Sequence, residues 1–149
     1  MITKLDFEHP VALRFHCIRC GMCCGDTEEK TRHILLLEAE AEQIAKKTLQ
    51  PISRFSVKIK EKAPYNYEMR KRLQDRKCVF LKKNRCTIYS LRPLICRFYP
   101  FELKMVTERK CRFFFTEECS GLNKGSKLRK NYFEKLLKLA YEKICAKID

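Results

Sequence analysis

No run of this sequence approaches the roughly 18 consecutive apolar residues that a membrane-spanning helix needs. The opening stretch, MITKLDFEHPVALRFHC, has neither an uninterrupted apolar segment nor a small-residue cleavage site. The expectation is a cytoplasmic protein with no membrane partner. Glycine is held to four residues, and they form no G-x-G-x-x-G phosphate loop. An H-E-x-x-H run, a Ser–His–Asp order and a paired-carboxylate signature are all missing, so hydrolytic catalysis has no support. Internal repeats and low-complexity tracts are missing too. At 149 residues the chain has the length of one domain, and with 34% charged residues its core must be thin.

Cysteine is abundant instead. A reducing compartment disfavours structural disulfides, so clustered thiols among the ten read as metal ligands. Residues 17–24, CIRCGMCC, hold four of them. The spacing Cys17-x2-Cys20-x2-Cys23 lets one tight loop aim three sulfurs at a common point, and bacterial ferredoxins begin a cluster run in the same way. Gly21 and Gly25 offer such a loop positive φ at low cost. In an extended segment, Cys23 and Cys24 would point to opposite sides. The adjacent pair therefore implies either two centres meeting at this loop or one ligand beside one packed thiol. Cys78, Cys86, Cys96, Cys111 and Cys119 follow singly, without a second C-x2-C turn of the kind that zinc ribbons pair. That pattern suits an iron–sulfur centre ligated from scattered loops. In IYSLRPLICRFYP, residues 88–100, Pro93 fits the start of a short helix. Arg92 and Arg97 are candidate cofactor-binding residues there, because a cation near Cys96 favours its thiolate. An ordinary helix with two solvated arginines is the competing reading.

Plain readings are preferred elsewhere. Cys145 and Cys111 are expected as small buried residues, and His16, although next to Cys17, as a structural histidine. Phe113–Phe115 is expected in the core, and Arg70–Lys77 as a solvated basic face.

Pattern places a short buried strand over 32–37 and a helix over 38–49 whose early acids and late lysines match the helix dipole. An exposed helical turn or two is expected within 67–77. A hairpin over 78–89 turns at Lys82-Lys83-Asn84, and a strand pair, 101–106 and 110–115, is joined across Thr107–Arg109. Gly121, Asn123 and Gly125 read as a breaker cluster. From Ser126 to Ile148 a long amphipathic helix buries Phe133, Leu137, Ala140, Tyr141, Ile144 and Ile148.

Charge is lopsided. Residues 1–50 carry seven Lys/Arg against eight Asp/Glu, a net of −1, and residues 51–149 carry 26 against ten, a net of +16. The basic part points to an acidic protein or a nucleic acid as partner.

The run C-x2-C-G-x-C-C, then C-x-F-L, R-C-x-I-Y-x-x-R-P-x-x-C-R-x-Y-P and a later C-x-G, resembles the YkgJ-like cysteine-cluster family of zinc- or iron-chelating proteins. The matching positions are Cys17, Cys20, Cys23, Cys24, Cys78, Cys86, Cys96 and Cys119, with Tyr89, Arg92, Pro93, Arg97 and Pro100. The resemblance implies those eight cysteines as the metal ligands. Cys111 and Cys145 fall outside it. The pattern often quoted for the family has three residues between the second and third cysteines, where this chain has two. Families sharing the cysteine core include a flagellin lysine methylase, so the resemblance leaves a modifying enzyme open by analogy. The expectation is a single α+β domain over 1–149, stapled by metal, with short β-hairpins, a motif core at 17–121 and a closing helix at about 126–148. The expected cofactor is one or two iron–sulfur clusters, of the 4Fe-4S type, in a redox or cluster-carrying accessory protein. Zinc is the alternative, in a nucleic-acid- or protein-binding module.

Overall fold

A computed structural model describes residues 6–145, without the side chains of Met22 and Cys145. It is a mixed α and β fold of four small sheets and four helices among the described residues. Strand β1 (Asp6–Glu8) pairs in parallel with β9 (Lys110–Phe115), and β9 pairs antiparallel with β8 (Phe101–Thr107). This β8–β9 hairpin is the expected strand pair, one residue longer on its first strand. β2 (Arg14–Phe15) pairs with β10 (Leu122–Lys127). β3 (Leu35–Leu36), β5 (Tyr67–Met69) and β4 (Ser56–Lys58) form the third sheet, with β5 central. β6 (Leu81–Lys82) and β7 (Arg85–Cys86) form the expected small hairpin. It turns on Lys83 and Asn84, both at positive φ, as a two-residue hairpin loop of matching twist demands.

Helix α1 (Glu38–Thr48) carries Glu38 and Glu40 in its first turn and Lys46 and Lys47 in its last, as the dipole argument expects. Two short helices follow, α2 (Ile52–Phe55) and α3 (Leu94–Phe98), the latter opened by Pro93. Helix α4 (Lys130–Cys145) starts four residues later than the sequence suggests, because 122–127 belongs to a strand. It buries Phe133, Leu136 and Ala140, with Leu137 and Ile144 packed beside them. Leu136 was not expected on that face, and Ile148 lies outside the described residues.

Three other expectations need correction. The 32–37 strand shrinks to Leu35–Leu36, the residues in ladder register with β5, with the Ile34 carbonyl accepting from the Met69 N–H beside them. The helical turn within 67–77 is confined to 72–76, where the Arg76 N–H donates to the Arg72 carbonyl at 2.8 Å; before it stand β5 and an isolated antiparallel bridge from Lys71 to Cys78. Its basic residues are not simply solvated: Lys71 Nζ reaches Asp26 at 2.6 Å, and Arg72 Nη1 donates to the carbonyls of Cys78 and Leu81. The breaker residues at 121–125 do not stop a strand. Asn123 and Gly125, at φ 65° and 72°, let β10 bulge between its two pairing points with β2.

Apolar side chains gather in two clusters. The first holds Ile34, Leu36, Ala41, Ile44, Phe55, Met69, Phe80, Leu81 and Ile88 together with Cys24 and Cys78. The second is mainly aromatic, with Phe133 fully buried and its ring 5.1 Å from those of Phe101 and Phe113. α3 lies between them, giving Leu94 and Phe98 to the second and packing Ile95 and Cys96 against the first. Phe113 is core as expected, whereas Phe114 and Phe115 are exposed at the end of the sheet.

Candidate metal centre

Residues 17–24 form a loop that ends in a single 3₁₀ turn, Met22–Cys24. Gly21 opens that turn at φ 81°, a conformation that side-chain-bearing residues rarely adopt. Gly25 serves differently from expectation: its φ is −171°, ordinary extended backbone. It is small because Lys77 lies against it, and an added Cβ would sit 2.8 Å from Lys77 Cγ and 2.9 Å from the Arg76 carbonyl. The 3₁₀ turn also corrects the expectation that Cys23 and Cys24 point apart, for their sulfurs are 3.9 Å from each other.

Two hydrogen-bonded seams bring distant cysteines to this loop. On one side Gly25 bridges to Lys77, and the Cys78 N–H donates to the Cys24 carbonyl at 2.5 Å. The β6–β7 hairpin then folds back, setting Cys86 opposite Leu81, and α3 presents Cys96. On the other side Phe15 pairs with Leu122, and the His16 N–H donates to the Gly121 carbonyl at 3.0 Å. This seam carries Cys119 to the stretch that begins at Cys17. Gly121 cannot be replaced cheaply here, since a Cβ would collide with the His16 carbonyl oxygen. Cys17 and Cys20 are exposed, Cys24, Cys78 and Cys119 buried, and Cys23, Cys86 and Cys96 half-buried.

The thiols act on one another. Cys24 has one proton to share between Cys23 and Cys86, so its own ionisation is pushed up strongly by those two hydrogen bonds. The same bonds help pull Cys23 down to about 6, with the Arg32 cation adding to the effect, and Cys86 down to about 7. Burial pushes Cys78 up to about 11. Burial also raises Cys96, against the pull of Arg32 and with the push of Cys23, Cys78 and Cys86. Cys119 is raised by burial, and the thiolates it senses are Cys20, Cys17 and Cys23. Cys23 therefore stands where the two neighbourhoods join. The sulfurs share neighbourhoods without converging: among the described residues, no three His, Cys, Asp or Glu side chains lie close enough to hold one metal ion. The donor chemistry still fits a soft metal or an iron–sulfur cluster, because soft thiolate donors select such centres and cations adjoin them.

Arg92 stacks its guanidinium 3.8 Å over the Tyr89 ring and stabilises the thiolates of Cys23 and Cys86. Arg97 directs its donors to the carbonyls of Arg92 and Ser90, both at 3.1 Å. Arg32 belongs to the site and was missed. Its Nε donates to the Cys23 carbonyl at 3.0 Å, its Nη2 reaches the Ile95 carbonyl, and its cation lies 5.1 Å from the centre of the Tyr99 ring. The only sequence signal was a charge at the head of an apolar strand. Asp26 was missed as well. It accepts from the Arg32 N–H and from Lys71, with Arg76 alongside, and so clamps the end of the cysteine loop.

The remaining residues fall outside both neighbourhoods or outside the described side chains. Cys111 is fully buried in β9 with its sulfur 3.7 Å from the Asp6 carbonyl, as the plain reading expects. The Cys145 side chain lies outside the described residues. His16 is exposed, and His9 stacks on Phe133 at 4.8 Å. No described helix is long and apolar enough to cross a membrane.

Comparison with known proteins places this cysteine array. A family described as "CxxCxxCC: Putative zinc- or iron-chelating domain" matches residues 16–147. Its signature has two residues between the second and third cysteines, as residues 17–24 do, so the spacing is no departure. The uncharacterized protein MJ0661 of Methanocaldococcus jannaschii is 28% identical over 143 residues, covering 88% of this chain and 71% of its own length. No solved structure matches the chain.

Proposed function

The chain belongs to this family of zinc- or iron-chelating domains, and from that premise we propose that it is a metal-binding protein whose eight cysteines hold iron–sulfur clusters, in a redox or cluster-carrying accessory role. One observation carries the reading: thiols from four separated stretches of sequence, at Cys78, Cys86, Cys96 and Cys119, are drawn toward the loop 17–24, where the Arg32 and Arg92 cations favour thiolates. Four thiolates around a metal leave net negative charge, and guanidinium groups offset it. The ferredoxin-like triad Cys17, Cys20 and Cys23 favours iron–sulfur over zinc. The ligands are Cys17, Cys20, Cys23, Cys24, Cys78, Cys86, Cys96 and Cys119. A reducing cytoplasm suits free thiols, and the basic residues of 51–149 suit an acidic partner.

Anaerobic purification tests this. A brown protein containing iron and acid-labile sulfide is expected. A colourless protein containing zinc would replace it with a zinc-stabilised binding module, the reading that the basic surface favours second. Binding of S-adenosylmethionine would indicate a methylase-like enzyme instead.

A further inference from the structure

Positive charge gathers around the cysteine loop, and acids are kept from it. Residues 9–25 and 76–101 contain no Asp or Glu, yet the first stretch carries two Lys or Arg and the second seven. The fold lays these stretches against each other. Arg19, between Cys17 and Cys20, sets its guanidinium 4.1 Å from the centre of the Tyr89 ring, and Arg92 sets its own 3.8 Å from the same centre. Those two distances keep the two cations within about 8 Å of each other. The β6–β7 hairpin closes on the same loop. A Cβ on Gly21 would stand 3.5 Å from the Leu81 side chain and 3.8 Å from that of Asn84, so Lys82, Lys83 and Arg85 border the loop. Arg19, Lys82, Lys83 and Arg85 are exposed, and Arg92 is half-buried. Among the described residues none of these five cations forms an ion pair, whereas Lys71, Arg112 and Lys143 each hold a carboxylate.

We propose that this basic rim, made by Arg19, Lys82, Lys83, Arg85 and Arg92, docks an acidic segment of a partner protein, with the exposed Cys17 and Cys20 inside the contact. The interface deepens the accessory role proposed above and rests on it for the reason a partner comes to this loop. Cations crowded without a counter-charge repel one another, and a carboxylate-bearing surface relieves that repulsion as it binds. Guanidinium forks also take carboxylates through paired, charge-assisted hydrogen bonds. A nucleic acid fits the rim less well. Single strands bind where cations and open aromatic faces occur together. Here Tyr89 is half-buried and engaged by two guanidiniums of its own chain. The exposed Phe114 and Phe115 belong to β9, where Phe114 stands opposite Glu102 and the nearby Arg112 is already held by Glu8. The exposed phenylalanines and the unpaired cations thus lie on different elements.

The test uses the full chain, purified anaerobically, with its metal counted. Fluorescence anisotropy follows the binding of a dye-labelled oligoglutamate peptide and, separately, of an oligothymidylate of equal charge at the same ionic strength. Arg19→Gln and Lys83→Gln should each weaken peptide binding about two- to fivefold, the worth of one exposed ion pair. Joined with Arg85→Gln they should weaken it roughly tenfold or more. A triple variant of equal charge on other elements, Lys60→Gln, Lys135→Gln and Lys138→Gln, should change it less than about twofold. Equal losses from the two triples would overturn the interface, because net charge and not the rim would then hold the peptide. Oligothymidylate that binds more tightly than the peptide, and is released by the rim triple alone, would overturn it in favour of a nucleic acid. Metal-bearing wild type that does not bind the peptide would overturn the interface and leave the metal-binding reading standing. A wild type without metal would overturn that reading, whatever it binds.

Discussion

Arginine at this site is not one kind of residue. The Arg92 cation favours the thiolates of Cys23 and Cys86, and the Arg32 cation those of Cys23 and Cys96. Arg97 holds the turn 90–92 through two carbonyls. Reduction adds an electron, and a nearby cation makes that addition easier. In a redox-active centre, Arg92→Gln and Arg32→Gln should therefore lower the reduction potential, and voltammetry would read the shift. Arg97→Gln should leave the potential nearly unmoved while lowering stability by about 1–2 kcal/mol, the worth of two hydrogen bonds to a charged donor partly exposed to water. Equal shifts in all three variants would mean that their different contacts carry no electrostatic distinction. Cysteines divide in the same way. Cys111→Ala and Cys145→Ala should retain the full metal content, and Cys17→Ala, Cys86→Ala and Cys96→Ala should each reduce it, as elemental analysis would measure.

Short elements need ties at their ends, and two acids supply them. Asp26 joins the cysteine loop to the turn-bearing segment 71–77, and Lys71 hydrogen-bonded to its carboxylate holds its pKa at about 2, well below the usual carboxylate value. A depressed carboxylate contributes stability that is present above its unfolded pKa of about 3.9 and lost as pH falls through the folded value. The melting-temperature gap between wild type and Asp26→Asn should thus be full at neutral pH and shrink between about pH 4 and about 2. A gap that stays constant across that window would show that the ion pair contributes nothing. Glu40 does a comparable task deeper in the fold. It closes the first turn of α1 on the Leu37 N–H, accepts from the Leu94 N–H at the start of α3, and pairs with Lys143 of α4 at 2.9 Å. It is 4% exposed, so its loss leaves two buried backbone donors without their acceptor. Glu40→Ala should cost about 3 kcal/mol in chemical denaturation, as for removing one partner of a buried pair. Lys143→Ala should cost less, because both backbone donors keep the carboxylate.

For the molecule as a whole, the cysteines stand where other proteins of this size place more apolar volume. Cys24 and Cys78 count among the buried residues of the first cluster, and no sheet exceeds three strands among the described residues. A thin core of this kind gains folding free energy directly from metal ligation. Full demetallation should lower the melting temperature substantially, and the cooperativity of the transition should fall with it. A metal-free chain that melts at the wild-type temperature would show that the two apolar clusters suffice.

The local patterns were legible in the residues themselves. α1 was readable because acids, apolar positions and lysines follow one another at helical spacing, and the β8–β9 hairpin because two β-prone runs flank a polar turn. The candidate ligands were readable because cysteine at such density, in such spacing, has few other uses in a reducing setting. Tertiary structure decided what depends on contacts between distant residues. Residues 67–77 carry charges that suit a helix, but β3, β4 and Cys78 offer them strand partners. Gly121 and Gly125 read as breakers until β2 lies against them and their small size becomes the condition for close approach. Arg32 carries no local signature, and for Glu40 the local one, an acid in the first turn of α1, does not foretell its bond to the Leu94 N–H, since these roles are set by groups more than fifty positions away. The sequence by itself determined where the cysteines fall along the chain. Which thiols stand together was decided by the two backbone seams, because hydrogen-bonded register fixes neighbours that no spacing along the chain can specify.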